Sequence, residues 1–188
     1  INPLNYNGNL DTRPLWDYQE AALATNGQSS APWSCYGVAI DNRDVEQGDL
    51  FVALKGDRLD GHQFVAQAFE AGAAAALIAE NAEVDENLGP LLRVKDTKEA
   101  LIHLGRSSRQ RSQAKIAGVT GSVGKTGTKD ALGRCLSRQA STHVSVKSFN
   151  NGIGVPLTLA RMSRSAGFGV FEMGMNHAGE LAELTAQV

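Results

Sequence analysis

Apolar positions along this chain fall in short runs separated by glycine, asparagine and aspartate, and between the runs they recur at helical spacing. Residues 15–24 carry Leu15, Trp16, Ala22 and Leu23 in a helix-compatible arrangement, with Gly27 as a stop. The runs at 36–40 and 50–54 predict strands, the second entered through the turn Gln47-Gly48-Asp49. Phe64, Val65, Ala68 and Phe69 then form the stripe of an amphipathic helix closed by Gly72. Strands at 74–79 and 91–94 follow, and a helix over 97–105 capped by Thr97. The second half repeats the alternation. A strand over 116–119 leads to a helix over 125–139 with Ala131, Leu132, Cys135 and Leu136 on its inner face; strands at 143–146 and 168–173 flank a helix over 153–162 that carries Pro156 in its first turn, where proline is tolerated. Alternating strands and helices predict the α/β class, with parallel sheets covered by helices.

The polar, basic stretch Arg106-Ser107-Ser108-Arg109-Gln110-Arg111-Ser112-Gln113 reads as a helix end running into a linker. It divides the chain into an N-terminal α/β domain, residues 1–112, and a second domain beginning at 113 and running to 188. No repeat or low-complexity segment interrupts either block. With three arginines, no interleaved aromatics and a net charge of −2, the stretch is not a nucleic-acid patch.

Composition narrows the class further. A chain of 188 residues with 42% hydrophobic and 20% charged positions is that of a soluble globular protein. The apolar-looking run at 73–79 is far too short to cross a bilayer, and no secretory signal opens the chain. Cys35 and Cys135 have no metal-ligand spacing and read as buried or incidental thiols of a reducing cytoplasm. The start at Ile1 and the stop in a helix-like segment at Val188 lead to the expectation of a piece of something longer.

The chemistry concentrates in Gly118-Val119-Thr120-Gly121-Ser122-Val123-Gly124-Lys125-Thr126, which lies between an apolar strand and a helix. Backbone N–H groups of a glycine-rich turn and of a helix N-terminus converge there and hold phosphate charge. Gly121, Ser122, Val123 and Gly124 form the cradle, Lys125 reaches the outer phosphates of a di- or triphosphate, and the Thr126 hydroxyl is a ligand for Mg2+. The generic pattern asks for glycine where Val119 stands, and Gly118 lies one residue too early. Glu172 ends the apolar strand Phe168-Gly169-Val170-Phe171. At the carboxyl end of a parallel strand it can face the loop and complete a metal site with Thr126. Asn150 and Asn151 offer amides to a polar substrate or simply cap a turn, and His177 beside Asn176 can bond a phosphate or carboxylate or cap the last helix.

Three segments in this order resemble the Mur ligase family: Thr120-Gly121-Ser122-Val123-Gly124-Lys125-Thr126, Phe149-Asn150-Asn151-Gly152-Ile153-Gly154-Val155-Pro156-Leu157-Thr158-Leu159, and Phe171-Glu172-Met173-Gly174-Met175-Asn176-His177-Ala178-Gly179-Glu180. Upstream, Gly37-Val38-Ala39-Ile40-Asp41-Asn42-Arg43, Gly48-Asp49-Leu50-Phe51-Val52-Ala53-Leu54-Lys55-Gly56 and Asp60-Gly61-His62-Gln63-Phe64 resemble the N-terminal domain of the branch that adds D-alanyl-D-alanine. The likeness runs from about Leu15 onward and leaves residues 1–14 without a counterpart. It implies a small α/β domain for the UDP-substrate followed by a truncated P-loop NTPase-like parallel-sheet domain. The implied activity is cytoplasmic, ATP- and Mg2+-dependent amide formation in peptidoglycan precursor synthesis, carried out by a monomer without nucleic-acid or membrane partners. UDP-N-acetylmuramoyl-tripeptide and D-alanyl-D-alanine are the implied partners.

Carried over by position, the resemblance gives Lys125, Glu172 and His177 catalytic roles, Thr126 and Glu172 the metal, and residues 121–126 the ATP phosphates. Asn150 and Asn151 lie on the substrate side, and Asp41, Asn42, Arg43, Lys55, Gly56, Asp60, Gly61 and His62 border the uridine nucleotide. The chain departs from the family at Asn42, where serine or threonine is usual, at Gly127, where threonine is usual, and at Gly152, where an acid is usual. The family's central domain continues beyond the stretch matched here, so these residues alone are expected to bind weakly and not to ligate. The rival readings are a non-catalytic nucleotide-sugar module, a P-loop ATPase that drives conformational change, and another ligase of the superfamily. Among the last, the N-terminal pattern argues against a folylpolyglutamate synthetase, and the stretch from Phe149 to Pro156 argues against the ligase that adds the third peptide residue.

Overall fold

Hydrogen bonding in the first half of the chain assembles the parallel sheet that the apolar runs predict. The computed structural model describes residues 13–56, 59–146, 149–174 and 179–188. Strand β1 (Trp16–Asp17) precedes helix α1 (Tyr18–Thr25), and β2 (Gln28–Ser29), β3 (Ser34–Cys35), β4 (Gly37–Ala39) and β5 (Asp49–Val52) follow. Helix α2 (Val65–Glu70), β6 (Ala75–Ala79), β7 (Leu91–Val94) and α3 (Thr97–Arg111) come next. Strands β4, β5, β6 and β7 pair in parallel in that order, and β2 closes the β7 edge in antiparallel sense. An antiparallel strand on one edge of a parallel sheet is a common way to finish it. β1 and β3 form a separate antiparallel pair.

Alternation sets the two faces of this sheet. Phe51, Ala53, Ala76, Ile78 and Leu91 turn toward Val65 and Ala68 of α2 in one apolar cluster. Leu50, Leu77 and Leu92, all fully buried, point the other way.

Three expectations need correction here. Residues 15–17 are not helical: Trp16 is fully buried in β1, and Asp17 caps α1 by accepting from the N–H groups of Gln19 and Glu20, both at 2.9 Å. Asn26, at φ 53°, is the left-handed residue that ends α1 one position before Gly27. Helix α3 runs through the segment read as a linker as far as Arg111, and its cap is Asp96, which accepts from Lys98 N–H at 2.8 Å and Glu99 N–H at 2.9 Å, rather than Thr97.

The chain packs as two units whose division, between Leu104 and Gly105, falls inside α3. In the second unit β8 (Lys115–Val119), α4 (Lys125–Leu136), β9 (Thr142–Val144), α5 (Gly154–Ala160), β10 (Phe168–Glu172) and α6 (Glu180–Thr185) alternate. The sheet is parallel with β10 between β8 and β9. Every residue of α5 is buried, and Val155 and Leu159 pack with Met162, Phe171, Met173 and Leu184. Helix α4 covers the other face. Its inward residues are Lys129, Leu132, Gly133 and Leu136, whereas Ala131 and Cys135 are exposed, which corrects the predicted inner face. Cys35 is buried and Cys135 is exposed, and both are free thiols.

Capping and burial each make a stability effect measurable. Removing the Asp96 carboxylate (Asp96→Ala) strips two N–H groups of their partner and should cost about 1 kcal/mol in a urea melt. A pH effect is expected from His143, whose Nε2–H donates to Thr158 O at 2.8 Å. Burial, reinforced by the charge of Arg161 and opposed by that hydrogen bond, pushes its pKa from 6.5 down to about 4. The unfolded chain therefore takes up a proton that the folded chain refuses, so this contribution is intact above about pH 7 and lost as pH falls toward 4. Wild type should lose about 2 kcal/mol more than His143→Asn between pH 7.5 and pH 5 in urea melts.

Candidate functional site at the carboxyl ends of the parallel strands

The loop between β8 and α4 takes its shape from glycine at the positions that need it. Gly121 has φ 145° and Gly124 has φ 77°, a left-handed conformation from which α4 starts. Among the described residues no side chain caps α4, so its first N–H groups remain available to an anion. Ser122 and Val123 are exposed within the loop. Lys125 folds back over it, and Nζ donates to Gly121 O at 2.8 Å.

Glu172 faces this loop from the end of β10. It is 2% exposed, and its carboxylate accepts from Thr126 Oγ1 at 2.9 Å and from Asn150 Nδ2 at 3.0 Å. Among the described residues these neutral donors, and no cation, hold the carboxylate. Its backbone N–H donates to Ser145 Oγ at 3.0 Å. Strand ends are tied together just beyond: Met173 N–H donates to Val119 O at 2.9 Å, and Gly174 N–H donates to Asn150 O at 2.6 Å. A Cβ on Gly174 would lie 2.9 Å from that same Asn150 oxygen, so only glycine allows the approach. Asn151 serves the backbone instead. Its Oδ1 accepts from Ile153 N–H at 3.1 Å and Gly154 N–H at 2.8 Å, which starts α5. His177 lies outside the described residues.

Thr126, Glu172 and Asn150 thus meet beside the loop that Lys125 folds over, with Asn151 adjacent as a helix-starting residue. Ser145 and Lys129 join them without having been expected. Lys129 is 3% exposed, and Nζ donates to Ser145 O at 2.7 Å while standing 3.1 Å from Asp130 Oδ1. The only signal for it in the sequence is its helical spacing from Lys125, which places it one turn further along α4.

In the first unit the remaining candidates gather at the carboxyl ends of β4, β5 and β6. Asp41 accepts from Arg43 N–H at 3.0 Å, so it caps the short 3-10 turn Asn42–Asp44, and it also pairs with the Arg43 guanidinium at 2.5 Å. Hydrogen bonding and the charge of Asp41 raise the pKa of Arg43, whose side chain is 82% exposed. The main chains of Lys55 and Asp60 form an isolated antiparallel β-bridge, Gly56 N–H donates to Leu59 O at 2.9 Å, and Gly61 N–H donates to Leu54 O at 2.8 Å. His62 joins this loop to β6. Its Nδ1 stands 2.5 Å from Asp60 Oδ1, while Nε2 accepts from Ala79 N–H at 2.9 Å, which fixes a neutral ring protonated at Nδ1. The side-chain and backbone hydrogen bonds from His62 hold Asp60 below the usual carboxylate pKa.

A glycine-shaped loop between strand and helix, a lysine folded over it and a buried carboxylate on the neighbouring strand define an α/β protein whose second unit is of the P-loop kind. The sequence comparisons agree: residues 34–109 match the Mur ligase family, catalytic domain, and residues 119–188 match the Mur ligase middle domain. The chain belongs to the Mur ligase family. It is 44% identical over 146 residues to the UDP-N-acetylmuramoyl-tripeptide--D-alanyl-D-alanine ligase of Bacillus subtilis, covering 78% of this chain and 32% of that protein. The Rickettsia prowazekii ligase of the same name is 36% identical over 90% of this chain and 37% of its own length. A solved MurF from Acinetobacter baumannii matches at TM-score 0.78 and 37% identity, over 94% of this chain and 39% of that one. MurF from Thermotoga maritima, solved in complex with ADP, matches at TM-score 0.65 and 31% identity over 81% of this chain and 35% of that one. The chain spans about a third of the length of the curated relatives it matches. Among the described residues no helix is long and apolar enough to cross a membrane.

Gly127, where the resemblance leads one to expect threonine, lies inside α4. It has no positive φ, and a Cβ there would meet nothing within 4 Å. Gly127→Ala should therefore stabilise the protein by roughly 0.4 to 1 kcal/mol in thermal or urea melts, through the unfolded chain's lost freedom.

Proposed function

We propose that this chain belongs to an ATP-dependent ligase of peptidoglycan precursor synthesis, which joins D-alanyl-D-alanine to UDP-N-acetylmuramoyl-tripeptide through an acyl phosphate. The observation that carries this reading is the buried Glu172 carboxylate bonded to Thr126 beside the glycine loop, in a chain similar over nearly all its length to ligases of that name.

A free carboxylate resists attack by an amine because an oxide ion would have to leave. In the proposed reaction the tripeptide's terminal carboxylate oxygen bonds to the γ-phosphorus of ATP and ADP departs. The amine of D-alanyl-D-alanine then adds to the acyl carbon, loses a proton, and displaces inorganic phosphate. Positioning and charge neutralisation supply most of the acceleration for such steps. Main-chain N–H groups of residues 121–124 bind the phosphates. Lys125 exchanges its bond to Gly121 O for phosphate oxygens, and Asn150 with His177 orients the acyl substrate.

The donor set fits Mg2+: one hydroxyl and one buried carboxylate lacking a cationic partner among the described residues are hard oxygens suited to an ion that keeps several waters. When bound, the ion neutralises charge on the phosphate oxygens. In this reading Asp41, Asn42, Arg43, Lys55, Gly56, Asp60, Gly61 and His62 border the uridine nucleotide, within an N-terminal domain of residues 1–112, and the protein works as a cytoplasmic monomer.

The test uses the full-length protein. ATP-dependent phosphate release should require both UDP-N-acetylmuramoyl-tripeptide and D-alanyl-D-alanine. Lys125→Ala should remove at least ~100-fold of that rate and abolish the calorimetric signal for Mg-ATP while leaving that for the UDP-tripeptide. Phosphate release without any carboxylate acceptor would favour a conformational ATPase. Binding of both ligands without turnover would favour a non-catalytic module.

A further inference from the structure

Three hydrogen bonds close a ring through the second unit. Thr126 Oγ1 donates to Glu172 Oε2 at 2.9 Å, Glu172 N–H donates to Ser145 Oγ at 3.0 Å, and Lys129 Nζ donates to Ser145 O at 2.7 Å. Thr126 and Lys129 lie on the same face of α4, so the ring begins and ends on one helix. Ser145 is 2% exposed and is held to β10 as well, since its N–H donates to Val170 O at 3.0 Å. From these contacts we infer that Lys129 is a positioning residue: through Ser145 it fixes the end of β10 against α4 and so sets the spacing of the Thr126 hydroxyl and the Glu172 carboxylate for a divalent cation. The inference rests on the metal-nucleotide reading above.

The choice of residue supports this role. Burying an ammonium group carries a desolvation penalty, and a leucine or methionine of similar length would fill the same space without it. Lys129 is 3% exposed, and its one ionic partner among the described residues, Asp130, has a side chain that is 51% exposed and screened by water. What the ammonium gains is the Ser145 carbonyl, at the point where the chain leaves β9 and turns its hydroxyl to Glu172. Groups that orient a metal ligand from outside the coordination sphere act in this way, and their loss weakens metal binding without removing a ligand.

The experiment measures Mn2+ binding by electron paramagnetic resonance in the full-length protein with ADP present, and ADP affinity in EDTA. In Lys129→Met the Mn2+ dissociation constant should rise at least about tenfold, while metal-free ADP affinity stays within about twofold of wild type. Ser145→Ala, which opens the ring at a second point, should shift Mn2+ binding in the same direction. An unchanged Mn2+ constant in Lys129→Met overturns the inference, and so does an equal loss of metal and metal-free nucleotide binding. If circular dichroism shows that Lys129→Met does not fold, Ser145→Ala decides, and an unchanged constant there overturns it. A wild type that binds ADP but no Mn2+ overturns the metal site itself, a result distinct from a normal wild type with an indifferent Lys129→Met.

Discussion

The second unit is organised around one costly feature, a carboxylate almost wholly removed from water at the end of a central strand. Taking an ionised carboxylate out of water costs several kcal/mol unless donors and opposite charge compensate it. Glu172 meets that demand with Thr126 from α4 and Asn150 from the loop before α5, so two neighbouring segments are committed to it. Its own main chain is committed too, to Ser145. The tight junctions around it follow from the same need. Gly174 has no room for a side chain against the Asn150 carbonyl oxygen. Glycine here lets the end of β10 close on the neighbouring loop, and the closeness pairs the hydroxyl of the exposed Thr126 with the buried Glu172 carboxylate, residues far apart in sequence.

Both units obey one rule of parallel sheets. Strands that run the same way deliver all their carboxyl ends to one edge, where the chain must turn into a helix or loop and where polar groups can converge. In the second unit that edge carries the glycine loop after β8, Ser145 after β9 and Glu172 on β10. In the first it carries Asp41 after β4, Lys55 after β5 and Ala79 on β6, with His62 reaching back to it. At the opposite edge of the first sheet, Asp49 and Gly48 instead serve the turn into β5.

How far the sequence predicted this depends on how each element earns its stability. Strands β6, β7 and β10 are nearly continuous apolar runs because both faces are covered, and such runs are visible directly. The two-residue strands β1, β2 and β3 are set by pairing partners and have no period to detect. Helix α3 outran its expected end because its last turns are rich in serine and arginine, residues that read as linker when their burial is unknown; Ser108 and Ser112 are in fact buried. The inner face of α4 was mistaken for a subtler reason. Gly133 lies against Val144 with no space for a Cβ, and this close packing rotates the helix so that Lys129 faces inward and Cys135 outward. Lysine is read as solvent-facing by default, and only a partner such as the Ser145 carbonyl reverses that default. The glycine loop and Glu172 were legible because their chemistry depends on local order along the chain, strand then loop then helix. The cage behind them was not, because it depends on contacts between residues far apart in sequence.

The two glycines at which the resemblance leads one to expect a larger residue have a physical reading as well. A Cβ at Gly127 or at Gly152 would meet nothing within 4 Å, and neither glycine has a positive φ. The backbone at both places is therefore one that any side chain can adopt, and the differences lie in what a side chain would contribute. At 152 the residue stands just before α5, where an acid would interact favourably with the helix N-terminus. This chain meets the same requirement with a neutral group, since Asn151 Oδ1 already accepts from Ile153 and Gly154. These two directional bonds fix where α5 starts without a charged group beside its first turn.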